Sequence, residues 1–181
     1  NQDPLKFQFK NKKSIVNQRE VGSDTQSLQM ALKNALRQAP DVILIGEIRD
    51  RETMSAAIAY AQSGHLCLAT LHANNSYQAL NRILSFYPVE VRATMLGDLS
   101  SALKAVVSQR LVRTASGDRV PAVEVMLNTK LISELIEKSD FSGVREAMEK
   151  SMAEGSQTFE EDLARLILAN RIDRKEGLAY A

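Results

Sequence analysis

Two unbroken apolar runs, Val42-Ile43-Leu44-Ile45 and Leu66 to Leu71, stand about twenty residues apart, and the stretch between them is helical in period. No other feature limits the fold as much. A strand without polar alternation has to be covered on both faces, and such strands belong to parallel sheets. Met54, Ala57, Ile58 and Ala61 form the apolar stripe of the intervening helix, and Gly64 closes it. Strand, helix and strand with a crossover of this length predict a right-handed βαβ unit, with the carboxyl ends Gly46-Glu47 and Thr70-Leu71-His72 on one sheet edge. Open α/β sheets bind ligands along that edge.

The flanking sequence extends the pattern. Leu28, Ala31, Leu32, Ala35 and Leu36 predict a helix over Thr25–Gln38, with Asp24 or Thr25 as its N-cap and Pro40 behind it. Helices are expected over Ser76–Ser85 and from about Val89 to Ser108. Ser116-Gly117-Asp118 reads as the polar tip of a hairpin between Arg110-Leu111-Val112 and Ala122–Met126. Ile15–Glu20 reads as a short edge strand, and Asp3-Pro4 before Leu5-Lys6-Phe7 as a strand end. From Leu131 onward the pattern is helical, broken at Ser139-Asp140, Gly155-Ser156 and Asn170. The expected fold is therefore α/β, a mostly parallel sheet flanked by helices over residues 1–128, followed by a helical subdomain over residues 129–181.

Composition narrows the partners. Lys and Arg number 23 and Asp and Glu 22, a net charge of +1. That balance gives no overall field toward nucleic acid or anionic lipid. With a single cysteine and two histidines there is no internal disulfide and no structural zinc cage. No apolar run approaches the ~20 residues of a spanning helix. A reducing, cytoplasmic setting is expected, and Cys67, in mid-strand, reads as a small apolar filler.

The candidate site residues lie at the strand ends. Glu47 closes a rigid strand at the ligand edge, where a carboxylate can orient a water or support a metal against a nucleotide phosphate. The alternative is that Glu47 pairs with Arg49 or Arg51 while Asp50 caps the next helix. Gly46 stands where phosphate-loop ATPases usually carry a magnesium-shell acid. His65 enters the second strand and His72 leaves it, so His72 is the imidazole expected to share the crevice of Glu47 and sense a γ-phosphate. His65 can equally be a capping or core histidine. Arg19, beside Glu20, can serve a neighbouring subunit's phosphates or form a solvated ion pair. No Gly-x-x-x-x-Gly-Lys-Ser/Thr loop occurs, so the usual phosphate cradle is missing from this sequence.

These segments resemble a known family. Pro40-Asp-Val-Ile-Leu-Ile-Gly-Glu-Ile-Arg-Asp50 resembles the Walker B box of the secretion ATPases, Gly64-His-Leu-Cys-Leu-Ala-Thr-Leu-His72 their His box, and Asp3-Pro4 the tail of their Asp box. Asn17–Gly22, Leu36–Pro40, Thr70–Asn75, Ser108–Val112, Glu124–Met126 and Gln157–Phe159 point within it to the type IV pilus retraction, or twitching motility, motors. The resemblance implies a RecA-like core that binds ATP and Mg2+ and assembles into a hexameric ring at the cytoplasmic face of the inner membrane. Partners would be a related pilus motor ATPase and an inner-membrane platform protein, with no nucleic acid and no membrane insertion. Carried over by position, Glu47 would be the catalytic glutamate, His72, His65, Asp3 and Gly46 would line the nucleotide, and Arg19 and Arg49 would lie at subunit interfaces. No side chain here is implied as a direct metal ligand. Gln2 and Lys6 replace the two glutamates of the family's Asp box. The sequence opens inside that box, which implies a fragment unable to hold ATP alone and prone to self-association through open strand faces. A non-catalytic assembly subunit of the motor and a RecA-like nucleic-acid motor are the alternative readings.

Overall fold

The structure, a computed structural model, describes residues 9–150 and 153–180 of the 181-residue chain. Two units are distinguished, residues 1–71 and residues 72–181.

The first unit contains α1 (Leu28–Leu36), β1 (Val42–Ile45), α2 (Arg51–Gln62) and β2 (Leu66–Ala69). The two strands pair in parallel, Val42 with Leu66 through Ile45 with Ala69, as the apolar runs predict. Helix α2 packs on β2 and α1 packs on α2. Helix α1 starts later than expected. A turn at Gly22, with φ of 98°, brings the Gly22 N–H to the Thr25 carbonyl at 2.8 Å. Asp24 is thereby turned back to accept from the Glu20 N–H at 2.9 Å, and Ser27 becomes the N-cap, accepting from the Met30 N–H at 3.1 Å. No strand forms over Ile15–Glu20; the nearest pairing is an isolated bridge between Val21 and Thr25. The expected strand end at Asp3-Pro4 lies outside the described residues.

The expectation that β1 and β2 are covered on both faces is also corrected. Ile43 and Ile45 are buried, but Val42, Leu44, Leu66 and Leu68 are 51%, 64%, 53% and 47% exposed. Register places those four side chains on one face. Unbroken hydrophobicity reports a strand's affinity for two layers, and among the described residues one face here is left exposed.

Asp50 caps α2, its side chain accepting the Thr53 N–H at 2.8 Å. That bond to a backbone N–H holds the Asp50 carboxyl below its ordinary value. A depressed carboxyl stabilises the fold above its unfolded value, about 3.9, and the contribution is lost as pH falls through the lower folded value. Asp50→Ala is therefore expected to lower the stability of this unit by about 0.5–2 kcal/mol at neutral pH. Urea titrations should show the gap between variant and wild type narrowing only in acid. Burial pushes the Cys67 thiol up, so it stays neutral at physiological pH, consistent with a packing role.

The second unit holds α3 (Ser76–Ser85), α4 (Val89–Ala102), the antiparallel pair β3 (Ala105–Arg113) and β4 (Arg119–Leu127), then α5 (Lys130–Glu137), α6 (Phe141–Glu149), α7 (Phe159–Leu168) and α8 (Arg174–Tyr180). Helix α3 has the predicted bounds. The predicted helix from Val89 ends at Ala102 rather than near Ser108, with Leu103 extended at φ −63° and ψ 137°. Val106 follows Leu96, Leu99 and Leu103 at helical spacing, yet the chain from Ala105 pairs over nine residues with β4, Ala105 with Leu127 through Arg113 with Arg119. Long-range strand pairing overrides the local period. The hairpin tip lies at Ser116-Gly117-Asp118 as expected, and Gly117 supplies the φ of 90° that the turn requires.

Helix α7 packs on β4 and α8 on β3. Val112, Val120, Ala122, Phe159, Leu163 and Ile172 form one buried cluster. Thr158 and Glu161 make a capping box at the start of α7. Buried Asp162 ties that helix to the hairpin by accepting the Val123 N–H at 2.7 Å, while pairing with Arg165.

Candidate nucleotide site

The end of β1 is locked to the end of β2. The Ile48 N–H donates to the Thr70 carbonyl at 2.9 Å, and the Thr70 hydroxyl donates to the Gly46 carbonyl. Gly46 and Glu47 are thus fixed between two hydrogen bonds to one residue, so the carboxylate rises from a rigid backbone. The Glu47 side chain is 16% exposed and pairs with Arg49, whose Nε lies 2.6 Å from Oε2. The ion-pair and capping alternatives of the sequence reading are therefore both realised: Glu47 holds Arg49, and Asp50 caps α2.

His65 sits at the opposite end of β2 from Thr70. Its Nδ1 lies 3.1 Å from Ser63 Oγ and 3.2 Å from the Tyr60 carbonyl oxygen, and its ring meets Tyr60 edge-on at 6.4 Å. These contacts are those of a histidine anchoring the end of α2. Arg19 lies in irregular chain before the Val21–Thr25 turn. Asp3 lies outside the described residues.

In the second unit, His72 is exposed and lines an open hollow of about 420 Å³ with Tyr77, Gln78, Asn81 and Arg82. The hollow follows the first turns of α3, whose N-cap Asn75 accepts the Gln78 N–H at 2.8 Å. Arg82 stacks over Phe86 at 5.5 Å.

Taken unit by unit, each set of residues has groups suited to a nucleotide. A fixed carboxylate can orient a water, and an exposed imidazole can bond a phosphate oxygen. They do not suit a magnesium shell. Gly46 brings no side chain, and among the described residues no group of three His, Cys, Asp or Glu could hold a metal ion. A metal would rest on groups other than these.

Sequence reasoning missed a pair of residues that meet at the start of α3. Ser76 and Glu124 are buried together, with Glu124 accepting both the N–H and the hydroxyl of Ser76 at 2.7 Å. A signal was available. In β4 the inward positions are Val120, Ala122, Glu124 and Met126, so a carboxylate occupies a row otherwise apolar. Thr70 stands at the expected carboxyl end of the second strand, but spacing alone does not reveal its side-chain bond to Gly46.

Comparison with known proteins gives a consistent result. Type IV pilus ATPase PilU of Pseudomonas aeruginosa is 49% identical over 181 residues, covering 99% of this chain and 47% of the relative. Type IV pilus retractation ATPase PilT of the same organism is 37% identical over 176 residues, covering 97% of this chain and 51% of the relative. This chain thus spans about half the length of the curated relatives it matches. Among solved structures, that of the pilus retraction motor PilT with bound ADP superposes with a TM-score of 0.88 at 37% identity, over 99% of this chain and 50% of the other. Among the described residues no helix is long and apolar enough to cross a membrane. The pattern of the Type II/IV secretion system protein family runs from residue 3 to residue 158, through both strand ends and most of the hairpin unit, and the chain belongs to that family.

Proposed function

We propose that this chain forms part of a hexameric ATP-hydrolysing motor that powers type IV pilus retraction and twitching motility. The observation that carries the reading is the locked β1 end, where Thr70 fixes Gly46 and Glu47 in the segment that resembles a Walker B box. The names of the similar proteins, pilus ATPases and a retraction motor with ADP, support the same activity.

In this reading Glu47 orients the attacking water and accepts its proton at a carboxylate oxygen. The ion pair with Arg49 holds the Glu47 side chain in one orientation. His72 donates to a phosphate oxygen, so that the loop after β2 registers an occupied site. Gly46 and Asp3 serve nucleotide binding beside Glu47, His65 supports that region from the far end of β2 by anchoring α2, and Arg19 and Arg49 face neighbouring subunits of the ring. ATP, held with Mg2+, supplies the bond whose hydrolysis drives the cycle. In the longer protein residues 1–128 complete the ATPase core and residues 129–181 form its helical subdomain. The ring works in the cytoplasm, peripheral to the inner membrane, against a platform protein and beside a related pilus motor ATPase.

The test is ATP hydrolysis and particle mass of the full-length protein, by phosphate release and light scattering. A ring of six that hydrolyses ATP is the expected result. A monomer that neither binds nor hydrolyses ATP would overturn the proposal.

A further inference from the structure

Glu124 is a carboxylate with only 9% of its surface exposed, set in the inward row of a strand. Burying a charge is unfavourable unless hydrogen bonds replace its water. Here one oxygen takes both bonds from a single residue, the Ser76 N–H and the Ser76 hydroxyl, each at 2.7 Å. Ser76 itself is 2% exposed. It is the first residue of α3, so its N–H is one of the donors a helix cannot satisfy internally, and an anion there also suits the helix dipole. Packing alone would be served at this position by an apolar residue like its row neighbours Ala122 and Met126. What the carboxylate adds is direction.

The residue it directs lies at the end of a short tether. Ser76 follows His72 by four residues, so fixing the start of α3 limits the path of Ala73-Asn74-Asn75. Two further contacts hold the same segment. Arg110 Nε approaches the Asn74 carbonyl at 3.5 Å, while the Arg110 guanidinium donates to the Tyr180 carbonyl at 2.8 Å and stacks on Phe159 at 4.1 Å. The Met148 sulfur lies 3.3 Å from the Ser76 hydroxyl. Strands β3 and β4 and helix α6 therefore all meet the segment from Asn74 to Ser76, and the carboxyl-terminal helix holds the Arg110 that reaches it.

We propose that Glu124 is a positioning residue for the nucleotide site: through Ser76 it fixes the loop that presents His72. The proposal rests on the reading of His72 as a nucleotide contact. Misplacing such a loop by an ångström is enough to lower a rate by ~10²-fold.

The test compares Glu124→Ala, Glu124→Gln and Ser76→Ala in the full-length protein. It uses amide hydrogen exchange without nucleotide, and kcat and KM for ATP per titrated nucleotide site. Glu124→Ala should speed exchange selectively over residues 73–78 and lower kcat per site by ~10- to 100-fold. Glu124→Gln keeps an oxygen that accepts from Ser76, so it should restore both readouts to within a fewfold of wild type. Ser76→Ala removes one of the two bonds and should give an intermediate loss; it carries the test if Glu124→Ala fails to fold. Loss of stability alone would remove nucleotide sites and speed exchange throughout the second unit, leaving the rate per site unchanged, and that outcome overturns the proposal. So would selective loosening of residues 73–78 with an unaltered kcat, or a glutamine variant as impaired as the alanine one. A wild-type protein that does not hydrolyse ATP would instead defeat the functional reading, and the proposal with it. That failure is recognisable because the exchange difference between wild type and Glu124→Ala would persist.

Discussion

Glu47→Gln in the full-length protein should lower ATP turnover by ~10²–10⁴-fold and leave nucleotide binding near its wild-type strength. Glutamine keeps the size and one accepting oxygen of the side chain, so its place at the end of β1 survives. The Ile48 N–H bond to the Thr70 carbonyl and the Thr70 hydroxyl bond to the Gly46 carbonyl hold that place without the carboxylate. What is lost is the charge that accepts a proton, together with the ion pair to Arg49. Binding by a fluorescent ATP analogue and steady-state phosphate release separate the two effects. Turnover within a fewfold of wild type would remove Glu47 from the reaction and favour an assembly role for the chain.

Phe159→Ala should destabilise the second unit by about 3–5 kcal/mol. Phe159 is 3% exposed and belongs to the cluster with Val112, Val120, Ala122, Leu163 and Ile172. Its ring is also the face against which Arg110 stacks, an interaction worth about 0.5–2 kcal/mol in its own right. Truncation therefore opens a cavity and releases a cation at one stroke. Against a typical total of about 5–15 kcal/mol, this is a large share of the stability. Urea unfolding followed by circular dichroism checks it, and a loss below about 1 kcal/mol would mean that the hairpin and α7 are not held together by this cluster.

Most elements were legible because their signals are local. Four apolar residues before Gly46 gave β1 its bounds, and the expected helix over Ser76–Ser85 is found as α3. Failures came where a distant partner decides. Leu103 and Val106 continue the helical spacing of α4, and only β4 turns them into a different structure. Gly22 reshapes the chain ahead of α1 and transfers the cap from Asp24 or Thr25 to Ser27. At the candidate site, the segment holding Glu47 was evident from the strand that ends in it, and the competing Arg49 pair was foreseen as an alternative. The Glu124–Ser76 contact joins residues 48 positions apart, so no window of local sequence contains it. Its one trace was a charge in an inward row, which alternation alone marks as odd without naming its partner.

The hairpin's nine paired residues carry a consequence for how this region can change length. Side chains alternate along a strand, so inserting one residue between Arg119 and Val123 would turn Glu124 outward and send its neighbours with it. The tip at Ser116-Gly117-Asp118 is outside that constraint, and added residues there leave the parity of both strands intact. Loop growth, epitope tags and chance duplications are thus accommodated at the tip, while the strand leading to Glu124 admits no shift in phase.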